Sequence, residues 1–145
     1  MEHELKKALR YAFLLLKYRP RTRHEIKTRL RRKKHSHSVI EHVLAYLENY
    51  NYIDDQEFAR IYVKEKLRLG FGQKRIVFEL KRLGIPDELI ETTWNEVSPE
   101  IDTKGILRGL ISKVQGQDKS RQQVLRYLVQ RGFRYREIME ELNEY

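Results

Sequence analysis

Apolar residues recur along this chain at intervals of three and four. Between residues 39 and 47, Val39, Ile40, Val43, Leu44 and Leu47 form the i, i+1, i+4, i+5, i+8 stripe of a helix that faces a core. The pairs 26/30, 76/80 and 124/128, and likewise 40/44, 90/94 and 138/142, are i,i+4 neighbours that share one helix face. No sustained period-two alternation bounded by turn residues occurs anywhere. The pattern predicts an all-α fold.

The pattern is also written three times. Ile26, Leu30, Ile40 and Leu44 return 50 residues later as Ile76, Leu80, Ile90 and Trp94, and 48 residues after that as Val124, Leu128, Ile138 and Leu142. The same offsets align Arg10 with Arg60 and Arg108, and Ala8/Leu9/Phe13 with Phe58/Ala59/Val63 and Ile106/Leu107/Ile111. They also bring Leu83-Gly84-Ile85 onto Arg131-Gly132-Phe133, while Lys34 stands where the first copy's glycine would be.

Punctuation divides each copy into three helices, near 4–18, 22–33 and 36–50, then 55–68, 72–83 and 86–97, then 100–114, 119–131 and 134–143. Asp54 with Glu57 has N-cap spacing, and Ser98-Pro99-Glu100 reads as the cap of the helix after it. Gly84 and Gly132 fall where a helix stops on a left-handed residue, so Lys34 must adopt that conformation or end its helix differently. The predicted units are 1–53, 54–98 and 99–145. A unit of about 45 residues hides little surface alone. Three tandem three-helix repeats therefore predict a stacked, elongated and curved body.

Composition changes the picture through charge. Among 145 residues, 30 Lys and Arg face 21 Asp and Glu, a net charge of +9, and the first 53 residues hold 13 of the cations but only 5 of the acids. Ten cations crowd into Lys17–Lys34 against Glu25 alone. Such a run repels itself unless a polyanion neutralises it, so a polyanionic partner is expected. The absence of cysteine excludes disulfides, thiol nucleophiles and thiolate metal sites. The longest strictly apolar run, Ala12–Leu16, is far below the roughly 18–20 residues that span a bilayer. With an acidic Met1-Glu2-His3-Glu4 opening, no membrane association and a cytoplasmic location are expected.

Catalytic signatures fail individually. Gly116-Gln117-Asp118-Lys119-Ser120 lacks the glycine before lysine and the preceding strand of a phosphate loop, and Gly70-Phe71-Gly72 is a turn. The 37/42 spacing of two of the five histidines does not place both on one helix face. Asp54-Asp55 is accounted for by capping. No catalytic residue, metal or cofactor is expected; a binding protein is.

The binding face is expected on helix 22–33. With Ile26 and Leu30 inward, Arg21, His24, Thr28, Arg31 and Arg32 lie opposite, and Lys27 flanks them. Candidate contacts are Lys17, Arg19, Arg21, Arg23, Lys27, Arg31, Arg32, Lys33 and Lys34, joined in the second copy by Lys74, Lys81 and Arg82. Phosphate contacts of this kind give affinity without sequence readout. Phe78 is expected to pack on a neighbouring repeat, and Trp94 and most of the nine tyrosines to be core.

Four stretches resemble a known family. Arg19-Pro20-Arg21-Thr22 leading to Glu25-Ile26 and Leu30, then Tyr52-Ile53-Asp54-Asp55 with Phe58-Ala59-Arg60, then Arg75-Ile76 with Glu79-Leu80 and Gly84-Ile85, and finally Arg131-Gly132-Phe133 are similar to the motifs of RecX, regulators of the bacterial recombinase RecA. Asn51 replaces that family's signature glycine, and Lys34-His35 its first glycine turn. The resemblance implies a tandem array of three-helix, helix-turn-helix-like repeats that binds RecA filaments on DNA, in their helical groove. It implies that the protein restrains ATP hydrolysis and strand exchange in DNA repair and recombination. It further implies single- and double-stranded DNA as partners and no catalytic residues, and a monomer is expected. A sequence-independent DNA-binding protein without a recombinase partner is the alternative.

Overall fold

The structure is a computed structural model that describes residues 1–143. Among these residues it contains nine α-helices and no strand. They are α1 (Glu2–Tyr18), α2 (Arg23–Arg32), α3 (His37–Asn49), α4 (Asp55–Arg68), α5 (Gln73–Arg82), α6 (Asp87–Val97), α7 (Thr103–Gln115), α8 (Arg121–Gln130) and α9 (Tyr135–Asn143). Three helices at a time enclose an aliphatic core, one around Ile26, Leu30 and Leu44, one around Ile76, Leu80 and Ile90, and one around Val124, Leu128 and Ile138. Of the twelve aligned core positions all are buried except Trp94, which packs on its core from the side. The accessible surface of 9664 Å² exceeds the roughly 7,900 Å² of a compact monomer of this mass. The chain is elongated.

Helix starts follow local chemistry. Thr22 with Glu25 and Ser120 with Gln123 form reciprocal capping boxes, Ser36 accepts from the Val39 amide, and Asp54 accepts from the Glu57 amide. One expected cap is displaced. Ser98–Glu100 forms a 3₁₀ turn, the chain extends at Ile101, and Asp102 caps α7 by accepting from the Gly105 amide at 2.9 Å. Ile101 packs against the second core, so the chain must straighten there before the next helix begins.

The units join through their middle helices. The Thr22 hydroxyl at the start of α2 is fully buried and donates to the Leu83 carbonyl at the end of α5, 2.6 Å away. Beside it the Arg23 amide donates to Asp55 at 2.9 Å. At the next junction Gly72 lacks a side-chain cap, and the neighbouring unit supplies one. The Gly72 and Lys74 amides donate to the Arg131 and Gly132 carbonyls at 2.7 and 3.1 Å. Arg131 returns two bonds, to the Gly70 and Leu69 carbonyls at 2.7 and 2.6 Å. Its guanidinium and that of Arg75 stand 4.2 and 4.3 Å from the Phe71 ring centroid. The C-terminus of α8 thus meets the N-terminus of α5, and the C-terminus of α5 meets the N-terminus of α2. Opposite ends of the helix dipoles face each other at both joints.

These joints explain the glycines. Gly84 and Gly132 have φ of +83° and +101°, and a Cβ on either would stand 2.1 Å from His24 Cβ or 2.5 Å from Arg75 Cβ. Lys34, at the equivalent position, adopts φ 63°. It terminates the one middle-helix C-terminus, among the described residues, that no other unit covers. A side chain is tolerated there because nothing approaches it. Gly84→Ala and Gly132→Ala are each expected to lower stability by about 1–3 kcal/mol through left-handed strain plus the clash, read as a shifted urea midpoint. Lys34→Gly should stay within about 1 kcal/mol of the parent chain.

Candidate nucleic-acid interface

Folding sorts the expected cations into two populations. Arg19 pairs with Glu25, one contact being 3.1 Å, and also donates to the Pro20 carbonyl. Arg21 is only 13% exposed, reaches the Leu15 carbonyl at 3.4 Å and lies 3.9 Å from Glu25. Burial, then the neighbouring Arg19 charge, pulls its pKa below the ordinary arginine value. Arg23 forms 3.2 Å pairs with both Glu41 and Glu48, and Lys27 lies 4.0 Å from Glu41. Arg19, Arg21, Arg23 and Lys27 therefore do not form the free face expected of them. The spacing argument counted Glu25 alone, whereas α3 folds two further acids against α2.

Lys17, Arg31, Arg32 and Lys34 are exposed and have no side-chain partner among the described residues. Lys33 lies 5.0 Å over the Tyr11 ring, whose hydroxyl accepts from Arg29 at 3.2 Å. The run Arg31–Lys34 occupies the last turn of α2 and the turn after it, at the uncovered end of the array. Cations there complement the helix dipole, an effect worth about 0.3–1 kcal/mol each and confined to the last turn. That is too little to account for four in a row. Glu4 anchors this end, accepting from the Ser36 amide at 3.0 Å with His35 Nδ1 at 3.4 Å.

A second basic stripe escaped the sequence reading. Lys6, Lys7 and Arg10 on α1 are exposed and unpaired among the described residues, and Lys17 continues their face. The 6/10/17 spacing carries the signal, since at 1.5 Å per residue it spans about 16 Å along one side of a helix. No acid occurs between Glu4 and Glu25.

In the second unit Lys74 is exposed without a partner, Lys81 lies 3.9 Å from Asp87, and the Arg82 guanidinium lies 5.9 Å from the Phe78 ring. Phe78 does not pack on a neighbouring repeat. It is 59% exposed and, with Val77, Trp94, Lys74, Lys81 and Arg134, lines an open groove of about 600 Å³ between α5 and α6. Nor are most tyrosines core: Tyr18, Tyr46, Tyr50, Tyr52 and Tyr135 are exposed, and Tyr145 lies outside the described residues. No group of three metal-ligating side chains, and no helix long and apolar enough to cross a membrane, occurs among the described residues.

Charge reversal at Arg31 and Arg32 is expected to weaken duplex binding and to lower the slope of log K against log salt by about 2, one for each lost phosphate contact. Arg23→Ala should leave that slope unchanged and lower stability by about 1 kcal/mol or less, as expected of half-exposed pairs. The Ser36 bond holds the Glu4 carboxyl below its ordinary 4.5. Its anchoring is therefore present above that pH and is lost as pH falls through the depressed value. The Ser36 amide proton resonance should titrate with a midpoint below 4.5.

Comparison with known proteins adds the following. Residues 2–47 match the family model of the first three-helix domain of RecX, and residues 54–93 that of the second. The regulatory protein RecX of Thermotoga maritima is 33% identical over 142 residues, 97% of this chain and 86% of its own length. That of Prosthecochloris aestuarii is 30% identical over 145 residues, covering 99% of this chain and 96% of the relative. The chain spans about half the length of the Geobacillus kaustophilus relative, at 35% identity. The crystal structure of RecX from Lactobacillus salivarius superposes with a TM-score of 0.84 over 99% of this chain and 97% of that one, at 22% identity.

Proposed function

The chain belongs to the RecX family, and we propose that it binds RecA–DNA filaments and restrains their ATPase and strand-exchange activity in DNA repair and recombination. The single observation that carries this reading is the uncovered cationic end of an elongated three-unit array. Arg31, Arg32 and Lys34 stand unpaired there among the described residues, while the middle unit is nearly neutral. A long body with one basic end suits a long polyanionic fibre better than a small substrate.

In this reading the first unit, residues 1–53, holds DNA phosphates, and the second, 54–98, faces protein. The Phe78 groove, with its apolar floor and Lys74, Lys81 and Arg134 beside it, supports the second assignment. A body that touches successive RecA protomers couples their motions and so opposes the rearrangements that hydrolysis needs. The protein acts as a cytoplasmic monomer without a cofactor.

RecA's DNA-dependent ATPase, measured with rising amounts of this chain, is expected to fall to a plateau. Unchanged turnover at saturating binding removes the inhibitory role. Phe78→Asp should weaken binding to the filament while leaving affinity for naked duplex unchanged. Equal binding of the unaltered chain to naked duplex and to filament would favour a DNA-binding protein without a recombinase partner.

A further inference from the structure

Between α1 and α3 an aromatic surface lies over the first core, with Phe13 packed on that core and three tyrosines outside it. Phe13 lies edge-on to Tyr52 at 4.8 Å between centroids and to Tyr46 at 6.4 Å, and Tyr46 lies 4.7 Å from Tyr50. Tyr46, Tyr50 and Tyr52 are 40%, 64% and 51% exposed. Among the described residues no side chain or carbonyl engages their hydroxyls. The core beneath is already closed by Ile40, Val43, Leu44 and Leu47, all buried.

The threefold register shows what else this surface can carry. Fifty residues on, Tyr46, Tyr50 and Tyr52 correspond to Glu96, Glu100 and Asp102. In that second unit Glu96 pairs with Arg60 at 3.3 Å and Glu100 with Lys64 at 3.6 Å. Arg108, aligned with Arg60 in the third unit, also pairs with an acid of its third helix, Glu141 at 2.6 Å, which stands at the register of Thr93 and Val43. Arg10 is the first unit's member of this arginine series, and at the register of Glu96, the partner of Arg60, the first unit carries Tyr46. The acids that α3 does carry, Glu41 and Glu48, are turned towards α2, where they hold Arg23 and Lys27. The α1–α3 face thus takes no acid from α3; it is furnished with rings and bordered by Lys6, Arg10 and Lys17, with Glu2 one turn before Lys6.

We propose that this face is a stacking platform for single-stranded DNA, with Tyr46, Tyr50 and Tyr52 receiving unpaired bases and Lys6, Arg10 and Lys17 holding the phosphates between them. Rings beside a cationic track are how sequence-tolerant single-strand binding is built, because every base presents a π face. In a duplex those faces are already stacked, so the duplex uses only the cations. The platform gives the chain a strand preference that the Arg31–Lys34 end lacks. This inference rests on the reading that the chain binds DNA.

The test is fluorescence anisotropy of the full chain with labelled oligo-dT and with a duplex of equal phosphate number, at matched salt. Tyr50→Ala/Tyr52→Ala is expected to weaken oligo-dT binding by at least about 5- to 150-fold, the range for losing one stacked base. Duplex affinity should hold. Tyr50→Phe/Tyr52→Phe keeps the rings and should bind like the parent. Tyr50→Ala alone, at the most exposed ring, should reproduce part of the loss with an unchanged melting temperature. The proposal is overturned if the alanine variants bind oligo-dT as the parent does, if duplex binding falls equally, or if only affinity for the RecA protein changes. Tighter binding to oligo-rU than to oligo-dT overturns the choice of DNA. A parent chain that binds neither oligonucleotide nor duplex removes the DNA reading itself.

Discussion

The whole array depends on how closely two backbones approach where one helix stops and another starts. At Gly84 and Gly132 the chain turns left-handed against the first turn of the preceding unit's middle helix. At the second joint, exposed amides on one side meet exposed carbonyls on the other. A helix end left bare costs free energy because its amides or carbonyls go unmatched. At the second joint the units answer that need mutually, so that Gly72 needs no capping side chain. At the first, Thr22 serves its own helix and the neighbouring unit with a single hydroxyl. Stacking order, polarity and spacing all follow from these contacts.

On this scaffold charge is distributed by what each third helix brings. In the first unit Glu41 and Glu48 reach α2 and consume Arg23 and Lys27, while the opposite flank of α3 offers rings. In the second unit the equivalent flank offers acids, and Arg60 and Lys64 of α4 are matched by them. Identical topology therefore yields a positive first unit and a nearly balanced second one. The asymmetry resides in a handful of positions on α3 and α6 as much as in the basic run itself.

The fold was legible because its determinants are local. Ile26/Leu30 and their counterparts announce helix faces by spacing, and Gly84 and Gly132 announce stops by chemistry. The displaced cap at Ser98-Pro99 was not legible, since burying Ile101 in the second core is a tertiary demand. The site was half legible. Arg31, Arg32 and Lys34 stayed free as a charge count implies, but the fate of Arg19, Arg21 and Arg23 was settled by partners up to 25 residues away. Tyrosine was misread because an amphipathic ring satisfies an apolar pattern equally well inside or outside. Phe78 was misplaced for a different reason: it is wholly apolar, yet it stands 59% exposed on the lining of a groove and not at a repeat junction.

Lys34 has a further consequence. Its side chain and charge occupy the spot where another middle helix's start would need bare backbone, so a joint like those at Gly84 and Gly132 does not fit there. Among the described residues the opposite terminus, at Ser120, meets no other unit and keeps the capping box that Thr22 has in α2. Lengthening such a chain is therefore a one-way process, proceeding away from the positive head and leaving its chemistry untouched however many bricks are appended.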